Sequence, residues 1–245
     1  AVPTKFHYEI AAKAIEKGVS VLIEKPLAAD PVQSANLVKY AKDRNVVLAV
    51  GHIERFNAVV RYFNNNLLQK DEIIKSISAN RFSHYPTRIQ DVGVVYDLTI
   101  HDIDLICSFL GASPKEVQAF SSISNENGIE EQVNVYMNFN NSIVANCETS
   151  WHSAKKVRKI EISTNKNFWI LDLLNNKIIQ TKDNSPNIIT SVEKSNSLNF
   201  EIRDFLGAIT EDKTPLVTGE DGCEAVKIAE SILVSLKEKK AVKIK

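Results

Sequence analysis

The fold is decided by the stretch Asp91-Val-Gly-Val-Val-Tyr-Asp-Leu-Thr-Ile-His-Asp-Ile-Asp-Leu-Ile-Cys-Ser-Phe-Leu-Gly111. Its apolar residues point in nearly every direction around a period of 3.6 residues, which predicts a helix that is buried on almost all sides. Gly111 ends the predicted helix, because glycine takes the left-handed C-terminal conformation without strain. The rest of the chain is therefore expected to pack around this helix.

The same helix carries a polar stripe, formed by Asp97, His101, Asp104 and Ser108. Their spacings of four, three and four residues place them on one side. Burying such a stripe against hydrocarbon would leave charges unpaired, at a cost of several kcal/mol. Either the stripe lines a wet cavity or ligand site, or a buried His–Asp hydrogen bond joins two elements. The spacing alone favours neither alternative.

Composition limits the class of protein. The 245 residues carry 30 basic and 30 acidic side chains, a balance that argues against nucleic-acid and polybasic membrane partners. The three cysteines, Cys107, Cys147 and Cys223, form no Cys-x-x-Cys pair, which disfavours a disulfide framework and a structural zinc site and suits the cytoplasm. Apolar runs of about five residues are too short to span a membrane.

The first fifty residues alternate helix and strand. We predict a helix over 7–17, a strand over 19–23, a helix from Asp30-Pro31 to about residue 43, and a strand over 46–50. Both strands are short and almost wholly apolar, which is typical of a parallel sheet covered on both faces. This pattern indicates a parallel α/β layer.

The pattern then changes to a β-rich block. A helix over 58–68 and a strand over 73–85 precede the central helix. Alternating segments follow at 117–124, 132–139, 143–151, 158–164 and 168–173, then helices at 198–210 and 220–237 and a short strand at 241–244. We predict an incomplete Rossmann-like parallel layer (1–56) and an antiparallel-sheet α+β domain (57–245) with one open sheet face, whose last helices can pack back on the first layer.

Ligands of open α/β sheets bind outside the carboxyl ends of the strands. Glu24-Lys25-Pro26 follows the first predicted strand, and Pro3, Thr4 and His7 follow a strand that would precede the chain. A desolvated lysine at such a position has a lowered pKa and can exchange a proton with a substrate hydroxyl. The alternative is a surface lysine in a strand-to-helix loop, and a Lys-Pro pair alone does not exclude it.

Three segments in order carry a family resemblance: Glu24-Lys25-Pro26, then Gly51-His-Ile-Glu-Arg-Phe-Asn57, then Gly93-x-x-x-Asp-x-x-x-His-x-x-Asp104. Together with the opening Pro-Thr-x-x-His and a late segment from Arg203 to Gly222, they resemble the glucose–fructose oxidoreductase/inositol dehydrogenase (Gfo/Idh/MocA) family across essentially the whole chain. The sequence of residues 51–57 is most similar to that of the family branch that oxidises nucleotide-linked amino sugars of the UDP-N-acetylglucosamine type at a ring hydroxyl.

The resemblance implies reversible oxidation of a sugar or cyclitol hydroxyl by NAD or NADP. The family's catalytic lysine falls on Lys25, and its substrate-binding aspartate and catalytic histidine fall on Asp97 and His101. His101 would be the base, and Lys25 would stabilise the developing alkoxide, although the reverse assignment stays open. Arg55 falls where the family contacts substrate, or it is a surface arginine that caps a helix.

Cofactor contacts implied by the resemblance are Pro3, Thr4, His7, Glu24 and Lys25. The chain departs from the family because its eight glycines form no Gly-x-Gly-x-x-Gly, the turn that meets a dinucleotide pyrophosphate. About two βαβ units are expected to be missing, at roughly 30 residues each, so we expect this polypeptide to bind NAD(P) weakly or not at all.

Two alternatives to a dehydrogenase stay open. One is a non-catalytic sugar-nucleotide-binding or assembly protein that keeps the pocket. The other is metal-dependent hydrolysis at Asp97, His101 and Asp104, although the resemblance needs no metal. The family also forms oligomers through its open sheet face, which implies a homo-oligomer here. Trp151-His152 either reaches the site from that sheet or belongs to its core.

Overall fold

The computed structural model describes residues 2–86, 92–140, 143–182 and 185–244, so Asp91, the predicted start of the central helix, lies outside the described residues. Two compact units are present, one of residues 1–56 with 196–230 and one of residues 57–195 with 231–245. The helices are α1 (His7–Glu16), α2 (Pro31–Arg44), α3 (Ala58–Tyr62), α4 (Ile100–Leu110), α5 (Ser197–Thr210) and α6 (Gly219–Glu238). The strands are β1 (Val21–Glu24), β2 (Leu48–Gly51), β3 (Ile74–Phe82), β4 (Glu116–Phe120), β5 (Gln132–Asn138), β6 (Val144–Ser150), β7 (Val157–Thr164), β8 (Phe168–Asp172), β9 (Lys177–Thr181), β10 (Ile188–Ser191) and β11 (Val242–Lys243).

The first unit is built on a small parallel sheet. β1 pairs with β2, with Val21 opposite Leu48. Helix α2 begins after Asp30, whose carboxylate accepts a hydrogen bond from the Gln33 N–H at 2.9 Å, and it ends at Asn45 in the left-handed conformation. The predicted Rossmann-like parallel layer is therefore confirmed.

The helices predicted over 198–210 and 220–237 were expected to be able to return to the first layer, and residues 196–230 belong to the first unit. Two glycines let α6 approach β2 closely. A Cβ atom on Gly219 would lie 2.5 Å from the Leu48 side chain, and one on Gly222 would lie 2.5 Å from Val50.

Among the described residues, α6 and the other helices lack the combined length and apolar character that a membrane span requires.

The second unit contains, within the described residues, a nine-stranded sheet in the order β10-β9-β8-β7-β3-β6-β5-β4-β11. The expected antiparallel arrangement is wrong for one pair, because β6 runs parallel to β3, with Ser76 opposite Val144. Parallel neighbours need a crossover connection, and here α4, β4 and β5 lie between the two strands in the chain. The sheet is therefore mixed.

Strands β9 and β10 at one edge of this sheet were not predicted from the sequence. Ile188 and Ile189 of β10 are exposed, and the remaining residues of that strand are not buried either. Without a buried face the strand lacks the alternation by which half-buried strands are recognised. Its pairing with β9 is visible only in three dimensions.

One face of the large sheet is covered and the other is open. On β5, Val133, Val135 and Met137 are completely buried, whereas Tyr136 is 53% exposed. Phe120 on β4 lies on the same open face and is similarly exposed. The alternation of buried and exposed residues follows the period of two that we predicted for this block.

Candidate active site

Asp97 and His101 lie on consecutive turns of one helical segment. It opens with a π-helical turn, Val95–Thr99, and continues as α4, Ile100–Leu110. The prediction of a regular α-helix is wrong for this first turn, and π-turns within helices occur often at functional sites. Gly111, with φ of 57°, closes the segment in the left-handed conformation as predicted.

The Asp97 carboxylate is held from the sheet. Trp151, which directly follows β6, donates its indole N–H to Asp97 Oδ2 at 3.1 Å. Trp151 itself is only 2% exposed, whereas Asp97 and His101 are half-buried. The Trp151 ring thus belongs to the core, as one alternative held, and its N–H group contacts Asp97 of the candidate site, as the other held.

Glu130 caps the start of this helical segment. Its carboxylate accepts the Val95 N–H at 3.1 Å, and its carbonyl accepts the Val94 N–H at 3.0 Å. A Cβ atom on Gly93 would overlap the Glu130 carboxylate, so any larger residue there would displace the Glu130 side chain. Burial raises the pKa of Glu130, and the hydrogen bond from Val95 opposes that shift. Glu130 thereby fixes the direction in which the segment begins.

A buried ion pair ties α4 to the central strand β3. Arg81 donates from Nε and Nη2 to the Asp102 carboxylate at 3.0 and 2.8 Å, and both side chains are almost fully buried. Asp104, a member of the predicted polar stripe, is also buried, so the stripe is not exposed to solvent along its whole length. Among the described residues, His, Cys, Asp and Glu side chains form no group of three placed to hold a metal ion.

A second polar cluster adjoins Trp151. The Glu131 carboxylate lies 2.7 Å from His152 Nε2, and the Tyr85 ring packs edge-on against Trp151 with centroids 5.8 Å apart. Partial burial and the Glu131 carboxylate raise the pKa of Tyr85. The sequence pattern had indicated His152 alone, because Tyr85 and Glu131 belong to segments far from it in the chain.

In the first unit, Lys25 directly follows β1 and is half-buried. The next residue, Pro26, is buried and is joined to Lys25 by a cis peptide bond. His7 is 5% exposed, with Nδ1 2.8 Å from the Pro26 carbonyl oxygen and Nε2 3.0 Å from the Val2 carbonyl oxygen. The predicted cofactor residue His7 therefore contacts the main chain that carries Lys25.

The other predicted cofactor residues lie at or near the carboxyl end of β1. Glu24 is exposed, Thr4 is half-buried in a 3₁₀ turn before α1, and Pro3 is exposed. A Cβ atom on Gly51 would lie 3.0 Å from Glu24 Oε2, so the ends of β1 and β2 come close together there. Contact of these residues with a dinucleotide stays a prediction.

Arg55 lies in the 3₁₀ turn Ile53–Phe56. Its guanidinium lies 3.4 Å from the Asp221 carboxylate and donates to the Leu216 carbonyl at 3.4 Å. Asp221 belongs to the first turn of α6. The Arg55 side chain is only 10% exposed, so it is not the surface arginine of the structural alternative, and its contact with substrate stays a prediction.

Glu201 on α5 is a buried carboxyl group that no sequence motif indicated. It is 3% exposed, and its Oε1 atom has no hydrogen-bond partner among the described residues. Burial, together with repulsion from Glu24, raises the pKa of Glu201 from 4.5 to about 7. A glutamate in an amphipathic helix ordinarily indicates the solvent face, which is why it was missed.

Two family models match neighbouring parts of the chain. The first, described as oxidoreductase family with an NAD-binding Rossmann fold, matches residues 1–52. The second, described as GFO/IDH/MocA C-terminal domain, matches residues 48–167. Both models belong to the family that the sequence motifs resemble.

Curated relatives extend the match along the chain. UDP-N-acetylglucosamine 3-dehydrogenase of Acidithiobacillus ferrooxidans is 28% identical over 243 residues, covering 96% of this chain and 76% of the relative. The scyllo-inositol 2-dehydrogenase (NAD(+)) of Bacillus subtilis is 25% identical, covering 89% of this chain and 69% of the relative. Both relatives are thus longer than the chain that matches them.

Solved structures of oxidoreductases are similar in fold to this chain. A structure of the Acidithiobacillus ferrooxidans enzyme is similar with a TM-score of 0.91 at 28% identity, covering 97% of this chain and 77% of that one. Aldose-aldose oxidoreductase from Caulobacter crescentus shares the fold with a TM-score of 0.86 at 18% identity, covering 99% and 77%. The predicted resemblance is confirmed, and the chain belongs to the Gfo/Idh/MocA family of oxidoreductases.

Proposed function

We propose that this chain carries out the reversible, NAD(P)-dependent oxidation of a ring hydroxyl on a sugar, nucleotide sugar or cyclitol. The observation that carries the proposal is the pair Asp97 and His101, half-buried on consecutive turns of a segment whose start is fixed by Glu130. Curated relatives of the chain are named as dehydrogenases of such compounds.

The proposed roles follow from the chemistry of each group. His101 removes the proton of the substrate hydroxyl as a general base. Lys25 donates a hydrogen bond to the oxygen as negative charge develops there, and Asp97 orients the substrate or the His101 ring. Arg55 is proposed to contact the substrate. The reverse assignment, in which Lys25 is the base, uses the same groups.

NAD(P), when bound, supplies the hydride acceptor. Support for its use by this chain is the match of residues 1–52 to an NAD-binding Rossmann-fold family. We propose that the cofactor is contacted by Pro3, Thr4, His7, Glu24 and Lys25.

A second candidate is a non-catalytic sugar-nucleotide-binding or assembly protein. It is the alternative that the sequence left open, and it would keep the residues of the pocket. Activity of the chain extended at its N-terminus by a glycine-rich Rossmann segment separates the two candidates, because this polypeptide alone is expected to bind NADH weakly or not at all. Turnover of a sugar with NAD(P) by the extended chain supports the dehydrogenase, whereas binding of a nucleotide sugar without turnover supports the second candidate.

The finer proposal is a nucleotide sugar of the UDP-N-acetylglucosamine type, oxidised at a ring hydroxyl. It is supported by the sequence of residues 51–57 and by the 28% identity to UDP-N-acetylglucosamine 3-dehydrogenase. We also propose a cytoplasmic homo-oligomer. Exposed apolar side chains on the open sheet face, among them Phe120 and Tyr136, support an interface there.

Substitution of the two proposed catalytic groups tests the function. Lys25→Ala and His101→Ala are each expected to lower kcat by about 100-fold or more, because general acid–base and electrostatic catalysis contribute at least that much. Turnover is followed by NAD(P)H absorbance, and folding by circular dichroism. Lys13→Ala, at an exposed lysine of α1, is the control and should leave kcat unchanged. Near wild-type kcat in both variants would show the assignment to be wrong.

A further inference from the structure

The chain contains two tryptophans, and each donates its indole N–H to a carboxylate. Trp151 donates to Asp97 Oδ2 at 3.1 Å, and Trp169 donates to Glu72 Oε1 at 2.8 Å. Both tryptophans are about 2% exposed. They differ in the carboxylate that they contact, and this difference separates a structural role from a functional one.

Trp169 belongs to a purely structural cluster. The Glu72 carboxylate oxygen that accepts from Trp169 also accepts from Thr164 at 2.6 Å and from Asn167 at 2.8 Å. Glu72 is itself buried, so the three donors compensate its desolvation. The cluster joins the segment before β3 to β7 and β8. No proposed site residue takes part in it.

Trp151 is held so that its N–H group keeps one direction. Its backbone N–H donates to the Glu131 carbonyl at 3.0 Å, and the Tyr85 ring packs against its indole at 80°. The ring therefore cannot rotate without breaking core packing. Asp97, in contrast, is half-buried and lies in the π-helical turn that opens the helical segment.

We infer that Trp151 is a positioning residue for the proposed reaction: its fixed indole N–H holds the Asp97 carboxylate in the single orientation in which it meets the substrate hydroxyl or the His101 ring. A hydrogen bond to an ionised carboxylate is stronger and more directional than one between neutral groups. Small errors in the placement of a substrate-orienting group lower the rate strongly. The inference rests on the proposed role of Asp97.

Fluorescence of single-tryptophan variants tests the contact without need of a cofactor. Trp169→Phe leaves Trp151 as the one tryptophan of the chain, and Trp151→Phe leaves Trp169. UDP-N-acetylglucosamine is the probe, and its binding is measured separately by calorimetry. We expect a saturable change of emission in Trp169→Phe and none in Trp151→Phe. Calorimetric binding without any change in Trp169→Phe, or equal changes in both variants, would overturn the inference.

Kinetics give the second readout, because phenylalanine keeps an aromatic ring but removes the N–H donor together with part of the indole, and the same change at Trp169 controls for the lost ring volume. Trp151→Phe should lower kcat about tenfold with the same KM, as expected for loss of one hydrogen bond to a charged group used in the transition state. Trp169→Phe is the matched control and should keep kcat within about twofold, whatever stability it loses. Equal kcat values in the two variants would refute the positioning role.

The same experiment separates this inference from the proposed function. If Asp97→Asn, Lys25→Ala and His101→Ala lose activity while Trp151→Phe matches its control, the inference fails and the function stands. If Asp97→Asn retains wild-type kcat, the proposed role of Asp97 fails, and the inference fails with it. Loss of activity in Asp97→Asn and in Trp151→Phe, with the control active, supports both.

Discussion

His7 is a buried side chain that contacts the main chain next to Lys25, a proposed catalytic residue. Its two ring nitrogens lie 2.8 and 3.0 Å from carbonyl oxygens, which can only accept hydrogen bonds. One of the two acceptors is the carbonyl of Pro26, the residue after Lys25, so His7 fixes the main chain beside the proposed catalytic ammonium.

His7→Ala should destabilise the protein by about 1–3 kcal/mol, because the buried Pro26 carbonyl loses its donor. Urea unfolding monitored by circular dichroism measures this loss. Lys13→Ala, on the exposed side of the same helix, is the control and should change stability by less than about 0.5 kcal/mol. Unchanged stability in His7→Ala together with weaker NADH binding would instead indicate direct cofactor contact.

At the same scale, the sequence indicated the motif residues and Trp151, whereas it did not indicate the residues that contact Trp151 and His152. Lys25, Asp97 and His101 stand at recognisable places, namely a strand end and one side of a helix. Glu131 and Tyr85 contact the residues around Asp97 only after the chain folds. Hydrogen bonds and ring contacts between distant segments leave no local pattern, so a single sequence cannot reveal them.

At the scale of elements, local patterns predicted most helices and strands because most have a buried side, and a capping residue such as Asp30 marks the start of some helices. The π-helical turn Val95–Thr99 escaped prediction. There the Thr99 hydroxyl donates to the Val94 carbonyl at 3.3 Å and lies 2.6 Å from the Thr149 hydroxyl on β6. Side-chain hydrogen bonds to the backbone compete with the regular helical ladder. A contact from another element thus decides the local geometry.

Which strands pair with each other could not be predicted from the sequence, for a related reason. The alternation of β3 and β6 shows that each has one buried face, but not which strand lies beside it. Their parallel pairing depends on the whole path of the chain between them. Sheet order therefore follows from the packing of the second unit around α4 rather than from any one strand.

At the scale of the whole molecule, Glu201 is expected to make stability depend on pH. Its pKa is about 7 in the folded protein and is near the ordinary 4.5 when the chain is unfolded. Between these values the folded state holds the proton and the unfolded state has lost it. The stability contributed by the neutral carboxyl is therefore full below pH 4.5 and is lost as the pH rises through about 7.

Glu201→Gln keeps the shape of the neutral side chain and removes this titration. We expect the variant to exceed the wild type in unfolding free energy by about 1–3 kcal/mol at pH 8, and to match it closely near pH 4.5. Urea denaturation at several pH values provides the measurement. Glu211→Gln, at an exposed glutamate just after α5, serves as the control. Identical pH dependence in Glu201→Gln and the wild type would contradict the prediction.

The most direct test of the proposed function is a crystal structure of the protein with a bound sugar substrate. We predict that Lys25 Nζ and a ring nitrogen of His101 both lie within about 3.2 Å of the same substrate hydroxyl oxygen, the reach that proton transfer requires. Binding of that hydroxyl by neither group, or a separation of the two groups too large for one hydroxyl to contact both, would contradict the proposed reaction.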